Sequence, residues 1–471
     1  MMARLLVPAV REVVMVMFFY GNGSAFLARV LLIVCLMGGS ASVMAAWKQA
    51  LEQAAQSTAE IELFSIVGSN TVGEKLAPAL VAGFLKSRGF SDVVVKSAAE
   101  AHSRKVTARL DGTEHGIVVS VPVIAKGSST GFKALASGGA DLGASSRPIR
   151  EEEVMSLSAL GDMLSLENEH IVAIDGLAII VHRDNPLAQL PLQSVRDIFS
   201  GKLSNWSQLG GRDGVIKLHA RDDNSGTFDT FKRLVLSGAS LSRTSRRYES
   251  NDDLTAAVNY DINAVGFVAL PSIGSAKALA VSDGVALPLI PSELTVATED
   301  YPLSRRLYFY TPAAAKRKPV VSDFLAFVHS NAGQSIVART GYVAQALYAM
   351  SLDAADGRLT GLLRLNLNIR FEDGSSALDN KSKLDVQRLA AFLAAAEHRE
   401  SRITLVGFSN PVTGASQSSL SRLRAQNVRW ALRAEGIRHN ISALAGSAVA
   451  VSDPDSPNGH RNRRVEVWIQ Q

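Results

Sequence analysis

Between residue 61 and about residue 345 the chain alternates short apolar runs with stretches of helical periodicity, which predicts an α/β architecture. Ile61 to Val67 predicts a strand, followed by Gly68-Ser69-Asn70-Thr71-Val72-Gly73 and a helix carried by Leu76, Leu80 and Phe84. Ile117 to Ala125 runs into Gly127-Ser128-Ser129-Thr130-Gly131 and then Phe132-Lys133-Ala134-Leu135. Asp141 to Ala144 leads to Ser145-Ser146-Arg147-Pro148 and an acidic helix start at Glu151. Val215 to Ala220 leads to Arg221-Asp222-Asp223-Asn224-Ser225-Gly226-Thr227 and a helix through Phe231 and Leu234.

The pattern changes after residue 345. Residues 346–361 read as a connector, with Asp353-Ala354-Ala355-Asp356-Gly357 as its polar stretch. Residues 362–471 read as a small α+β unit. It comprises a strand around Leu365–Phe371, a helix around Leu384–Ala395, a strand Ile403–Phe408, a helix Leu420–Ala434 and a terminal strand Val465–Ile469. On the wheel of the second helix, Leu420, Leu423, Val428 and Ala431 share the face expected to be buried, and Arg424 falls within it. Arg422, Arg429 and Arg433 take the opposite, solvated face. A buried arginine needs a carboxylate or a ligand, and Glu466 or another acid is the internal alternative.

Residues 1–46 read as a targeting segment. Arg4, Arg11 and Arg29 precede the uncharged apolar run Val30 to Gly39, which is too short to span a bilayer and is followed by small residues and Val43-Met44-Ala45, a cleavage-like site. The earlier apolar run Val13 to Tyr20 makes the n-region long, so translation starting at Met15 or Met17, or retention as an N-terminal anchor, is the alternative. Cys35 follows Val34, which does not fit a lipoprotein signal, and cleavage would leave a cysteine-free chain suited to an oxidising periplasm.

Composition narrows the class. At 471 residues, 47% hydrophobic and 20% charged, the chain is neither disordered, collagen-like nor a multi-span membrane protein. Its single cysteine excludes a disulfide framework and a thiolate metal cluster. Residues 362–471 carry 15 Lys and Arg against 10 Asp and Glu, and so hold the whole net charge of +5, since the rest has 34 of each sign. A neutral large part and a basic small part predict two domains with different partners, and the excess is too dilute to indicate nucleic acid. The histidines show no metal-ligand spacing, and no cofactor is predicted.

The chemistry lies in the four strand-to-helix junctions. Each ends in hydroxyl-bearing or small residues at a helix start, where unpaired N–H groups and partial positive charge favour an anion. Arg147 and Arg221 add forked donors suited to tetrahedral oxyanions. Taken singly, Ser, Thr and Asn in such loops are ordinary caps and turn formers, and only the repetition across four junctions favours ligand binding. Gly127-Ser128-Ser129-Thr130-Gly131 also fits the G-x-S-x-G elbow, which would make Ser129 a hydrolase nucleophile with His170, His182 or His219 as base.

On these residues the stretch 61–345 resembles the substrate-binding protein of phosphate ABC importers, a type-II periplasmic binding protein. The match runs through Gly68-Ser69-Asn70-Thr71, Gly127 to Gly131, Ala140 to Ser145, Leu192 to Gly211, Arg221 with Ser225-Gly226-Thr227, Gly266-Phe267-Val268 and Gly333 to Val337. The resemblance implies two hinged lobes enclosing phosphate, with Ser69, Thr71, Ser128, Ser129, Arg221, Ser225, Gly226 and Thr227 in contact, Ser146 and Arg147 beside them, and delivery to an importer permease. Ser146 stands where several members of that family carry aspartate. Its hydroxyl cannot repel sulfate by charge, and Arg147 adds positive charge instead, so weaker phosphate-over-sulfate discrimination is expected unless Asp141 or Asp222 restores the acceptor.

Residues 362–471 resemble the OmpA-like peptidoglycan-binding domain, through Phe371 with Ser376 to Asp379, Val406 to Asn410, Leu420-Ser421, Arg424-Ala425 and Asn462 to Val467. In that family an aspartate and an arginine hold the diaminopimelate of the peptide stem. Arg424 matches the arginine, whereas Ser409-Asn410 stands in place of the aspartate, which predicts weakened wall binding. The expectation is a non-catalytic periplasmic phosphate receptor attached to the cell wall or outer membrane. A wall-associated structural or adhesion protein is the second reading.

Overall fold

The structure is a computed structural model that describes residues 60–98, 103–110, 117–223, 225–352, 356–372, 375, 377–410, 416–446, 450–456 and 458–470. The predicted targeting segment and Asn224 lie outside the described residues. Glu62–Leu110 and Val119–Gln471 form one compact unit, to which everything below belongs; a second unit, Met1–Ile61 with Asp111–Val118, lies almost wholly outside the described residues. No helix among the described residues is long and apolar enough to cross a membrane.

A mixed sheet of twelve strands organises the larger domain. Ile66–Gly68 lies between the parallel strands Ile117–Ala125 and Leu142–Ser145, with Ile66 level with Val123 and Leu142. Parallel strands share a carboxyl edge, so the junctions after Gly68, Ala125 and Ser145 leave the sheet side by side. Gly68 sits at φ +143°, and a Cβ there would fall 2.0 Å from the Ala144 carbonyl oxygen, so the turn tolerates only glycine. Its own carbonyl accepts from the N–H groups of Lys126 and Gly127, both at 2.8 Å, which ties the first two junctions together.

Further along the sheet, Lys217–Arg221 runs parallel to Ala264–Ala269 and to Arg246–Tyr248. The strand Glu169–Val181 joins the two halves. Its first part pairs with Ser304–Tyr310, and its end, from Leu177, pairs with Ala264–Ala269. The apolar composition of this strand reflects burial on both faces. Within its buried stretch, Ile171 to Val181, Asp175 is the one charged residue, and it stands directly opposite Arg305.

The C-terminal sheet runs Ala349–Ser351, Leu363–Arg370, Arg464–Gln470, Arg402–Gly407, Ile441–Ala445, antiparallel except for the last pair. Helices Asn380–Ala394 and Ser416–Ala434 cover it, and Leu365, Leu367, Ile369, Leu389, Val428 and Val467 meet in the core between them. Two expectations change here. The presumed connector contributes Ala349–Ser351 as an edge strand and buries Leu359, so it belongs to the domain. The strand Ile441–Ala445, unread in the sequence, extends the sheet.

The buried face of Ser416–Ala434 also differs from its wheel. Ser421, Ala425, Val428 and Leu432 are buried, whereas Leu420 and Leu423 are 50% and 41% exposed. Small residues face inward because the helix lies close to the sheet: a Cβ on Gly407 would fall 1.9 Å from the Ser421 carbonyl oxygen.

Leu363–Arg370 alternates apolar and polar residues, a pattern that ordinarily leaves one face in water. Here Arg364, Asn366, Asn368 and Arg370 are buried too. The larger domain covers part of that face. Asn368 Nδ2 donates to the Thr298 carbonyl at 3.1 Å and Arg370 Nη2 to the same carbonyl at 2.7 Å, with Asp300 at 3.0 Å from Arg370. Arg306 reaches across to Asp379 at 2.8 Å, and Ser452 and Ser456 donate to Asp283 at 2.8 and 2.7 Å. The two domains therefore share a polar seam whose charges are mostly matched, as burial requires.

Candidate functional site

Three of the four junctions fold as helix starts, while Ser146-Arg147 forms a bend ahead of the helix Glu151–Leu157, and the predicted residues separate into two groups. In the first group, Ser128 and Ser129 open the helix Ser128–Ala136. Ser128 Oγ accepts from the Ser146 N–H at 3.1 Å, and Arg147 Nη2 donates to Ser129 Oγ at 2.9 Å. These four residues line a cavity of about 700 Å³. Arg147 does not present a free positive charge, because both of its terminal nitrogens bond Glu153, at 2.8 and 2.6 Å. Burial pushes the Glu153 carboxyl up, but the Arg147 hydrogen bond, the Arg150 N–H and the nearby arginine charges together hold it below the usual carboxylate range.

In the second group, Thr71, Arg221, Ser225, Gly226 and Thr227 line a cavity of about 230 Å³. Arg221 Nε donates to the Tyr248 carbonyl at 3.2 Å and Nη2 to that of Glu249 at 2.6 Å, which fixes the guanidinium on the loop after Arg246–Tyr248. Burial lowers its pKa, while Asp222, Glu74 and Tyr342 pull it back. Ser225 caps the helix Gly226–Phe231. Ser69 is buried at the first junction, where its N–H donates to the Ala144 carbonyl at 2.9 Å, and it lines neither cavity. The predicted residues thus line two cavities, with Ser69 on neither.

The divider between the groups is a contact not read from the sequence. Thr71 Oγ1 donates to the Gly226 carbonyl at 3.1 Å. Arg305 Nη2 donates to Thr71 Oγ1 at 2.6 Å and to the Gly226 carbonyl at 3.0 Å, and Arg305 pairs with Asp175 at 3.1 Å. The side chains of Arg305 and Asp175 are 4% and 5% exposed. An aspartate inside the apolar run Ile171 to Val181 was the available signal, since a charge in such a strand needs a buried partner.

Asp175, with Glu74 and Glu249, places carboxylates on the smaller cavity. Asp141 does not serve there: it accepts from the Ser65 N–H and from Lys318 Nζ, both at 2.9 Å. Asp222 lines neither cavity. The hydrolase constellation is not assembled among the described residues either. Ser129 is bonded by Arg147, while His170 contacts the Glu167 carbonyl, His182 lies near Asp184 and His219 bonds the Tyr248 hydroxyl.

In the C-terminal domain, Ser409 Oγ bonds Ser421 Oγ at 2.9 Å, and Asn410 is half-buried beside it. Arg424 Nη1 donates to the Phe408 carbonyl at 3.1 Å, and its guanidinium lies 5.7 Å from the Phe371 ring centre. The internal candidate Glu466 pairs elsewhere, with Arg464 at 3.0 Å and Arg364 at 3.5 Å. Burial and the neighbouring Arg463 charge lower the Arg424 pKa, and among the described residues no carboxylate pairs with it. A half-buried guanidinium in that setting favours an incoming carboxylate.

Both parts of the chain match known protein families. The chain belongs to the PBP superfamily, whose domain matches residues 54–332, and it carries a C-terminal domain of the OmpA family over residues 370–464. Within the superfamily it is similar to the phosphate-binding protein PstS of Pseudomonas aeruginosa, 31% identical over 243 residues that span 48% of this chain and 74% of that one. The PstS of Bacillus subtilis is 32% identical over 225 residues, 47% of this chain and 70% of that one. An ABC-type phosphate transport receptor from Vibrio cholerae aligns over 59% of this chain and 99% of its own at 25% identity, with a TM-score of 0.46.

Proposed function

We propose that this chain binds inorganic phosphate in the periplasm, for uptake through an ABC importer or for sensing, and that its OmpA-family domain tethers it to peptidoglycan. The observation that carries the reading is the convergence of Arg221, the Ser225-Gly226-Thr227 helix start and Thr71 on one 230 Å³ cavity, in a chain similar to phosphate-binding proteins. Arg221 supplies charge and a forked donor, and the small residues let an oxyanion reach backbone N–H groups. Asp175, Glu74 or Glu249 supplies an acceptor for the proton of hydrogen phosphate, which sulfate cannot provide.

Calorimetric titration of protein stripped of anion by unfolding and refolding tests this. Micromolar or tighter phosphate binding, abolished by Arg221→Ala, is expected; a chain without phosphate affinity would leave the structural or adhesion reading. In the same experiment sulfate is expected to compete poorly, because it brings no proton to the carboxylates on the Arg221 cavity, and Ser146→Asp, on the neighbouring cavity, is expected to leave the preference unchanged. Sulfate bound as tightly as phosphate would show that none of these carboxylates faces the anion.

For the second domain, Arg424 is the proposed contact for a stem-peptide carboxylate, and Ser409-Asn410 offers no charge to its ammonium. Loss of that charge-assisted bond costs on the order of 1.5–3 kcal/mol, or about ten- to a hundredfold in affinity. Weak sedimentation with purified sacculi is therefore expected, strengthened by Asn410→Asp. Tight binding that Asn410→Asp does not improve would refute the assignment of that position.

A further inference from the structure

A third cavity, of about 450 Å³, lies at the seam of the two domains. Six arginines line it: Arg147, Arg233, Arg305 and Arg306 from the larger domain, Arg370 and Arg461 from the smaller. Four of them are matched by carboxylates. Arg147 pairs with Glu153, Arg305 with Asp175, Arg306 with Glu299 and Asp379, and Arg370 with Asp300 and Glu299. The remaining acid on the wall, Glu372, pairs with Lys383.

Arg233 and Arg461 have no such match among the described residues. Arg461 is 7% exposed, and its guanidinium donates to the carbonyls of Tyr301 and Ser304 at 2.6 and 3.0 Å, which orient it without neutralising it. Glu299, Asp283 and Asp300 attract it from farther away, but none forms an ion pair with it. Asp229, one turn before Arg233, lines the neighbouring cavity and likewise makes no ion pair with it. Arg461 is buried, and burial with Arg370 pushes it down to about 10, while Arg233 stands exposed at the rim of the cavity with Arg305, Arg461 and Arg147 nearby. The buried Arg461 and the rim Arg233 carry like charge on one cavity with no carboxylate paired to either, and an anion between them would interact favourably with both.

We infer that this seam is a second anion-binding site, separate from the Arg221 cavity, which takes a small oxyanion of two or more charges, of the condensed-phosphate class, between Arg233 and Arg461. A ligand there would touch both domains at once, and its binding would strengthen their association.

Pyrophosphate is the probe. The full chain, saturated with inorganic phosphate to fill the Arg221 cavity, is titrated calorimetrically with pyrophosphate, and one further equivalent is expected to bind. Arg233 is exposed over part of its surface, so Arg233→Gln leaves the core untouched. It is expected to weaken pyrophosphate by about tenfold or more and to leave phosphate affinity unchanged. Arg221→Ala should do the reverse, and that variant reads the seam even if the first cavity binds no phosphate. Absence of pyrophosphate binding, mutual exclusion of the two anions, or an Arg233→Gln chain with unaltered pyrophosphate affinity would each overturn the inference.

Discussion

Arg305→Met is expected to lower the stability of the chain by about 3–5 kcal/mol and to weaken phosphate binding at the same time. Arg305 and Asp175 face each other on adjacent strands, both almost fully buried, at 3.1 Å. Removing the guanidinium leaves the Asp175 carboxylate in the sheet without its partner, and an uncompensated buried charge is what makes such a break costly. The same guanidinium also holds Thr71 and the Gly226 carbonyl together, so its loss frees the two loops that meet at the anion cavity. Urea unfolding followed at two wavelengths reads the first effect and titration the second. The double variant Arg305→Met/Asp175→Leu separates them. Apolar replacement of a buried pair is often close to neutral, so stability should largely return while phosphate affinity stays low. A single variant as stable as the unaltered chain would show that the pair is not buried in solution.

Gly226→Ala should have the next largest effect, on binding more than on folding. A Cβ at Gly226 would fall 2.4 Å from Thr71 Oγ1, 2.5 Å from Thr71 Cα and 2.7 Å from Thr71 N. Two of these are backbone atoms, which cannot swing aside as the end of a flexible side chain does. The loops must part, at about 1–3 kcal/mol of overpacking. Parting them removes the Thr71 hydroxyl from its partner and spoils the donor geometry around Arg221. Loss of one charge-assisted bond to the anion then corresponds to about ten- to a hundredfold in affinity. Unchanged phosphate affinity in Gly226→Ala would mean that the two loops are not in contact when the anion binds.

Local patterns carried much of this organisation. The strand ends at Gly68, Ala125 and Ser145 were legible because apolar runs stop there in glycine and serine, which extend no β-pairing and readily cap helices. The helix and strand order of the C-terminal domain followed for the same reason, apart from Ala349–Ser351 and Ile441–Ala445, which are too short to show a period. Asp379, read only as part of a motif, caps Asn380–Ala394, which begins four residues before the predicted start, because an acceptor side chain at that position satisfies the Ser382 N–H.

What the sequence by itself determined, then, is which segments form strands and helices and which residue types gather at the loop edges, because these follow from interactions between near neighbours along the chain. Tertiary structure alone decided that Arg147 is spent on Glu153, that Arg305 rather than a loop residue joins Thr71 to Gly226, and that Glu466 is taken by Arg464 and Arg364. It also decided that the polar face of Leu363–Arg370 is buried against the other domain. Charges act across space at the distance the fold sets, and a guanidinium reaches a carboxylate 130 residues away as readily as one on the next turn.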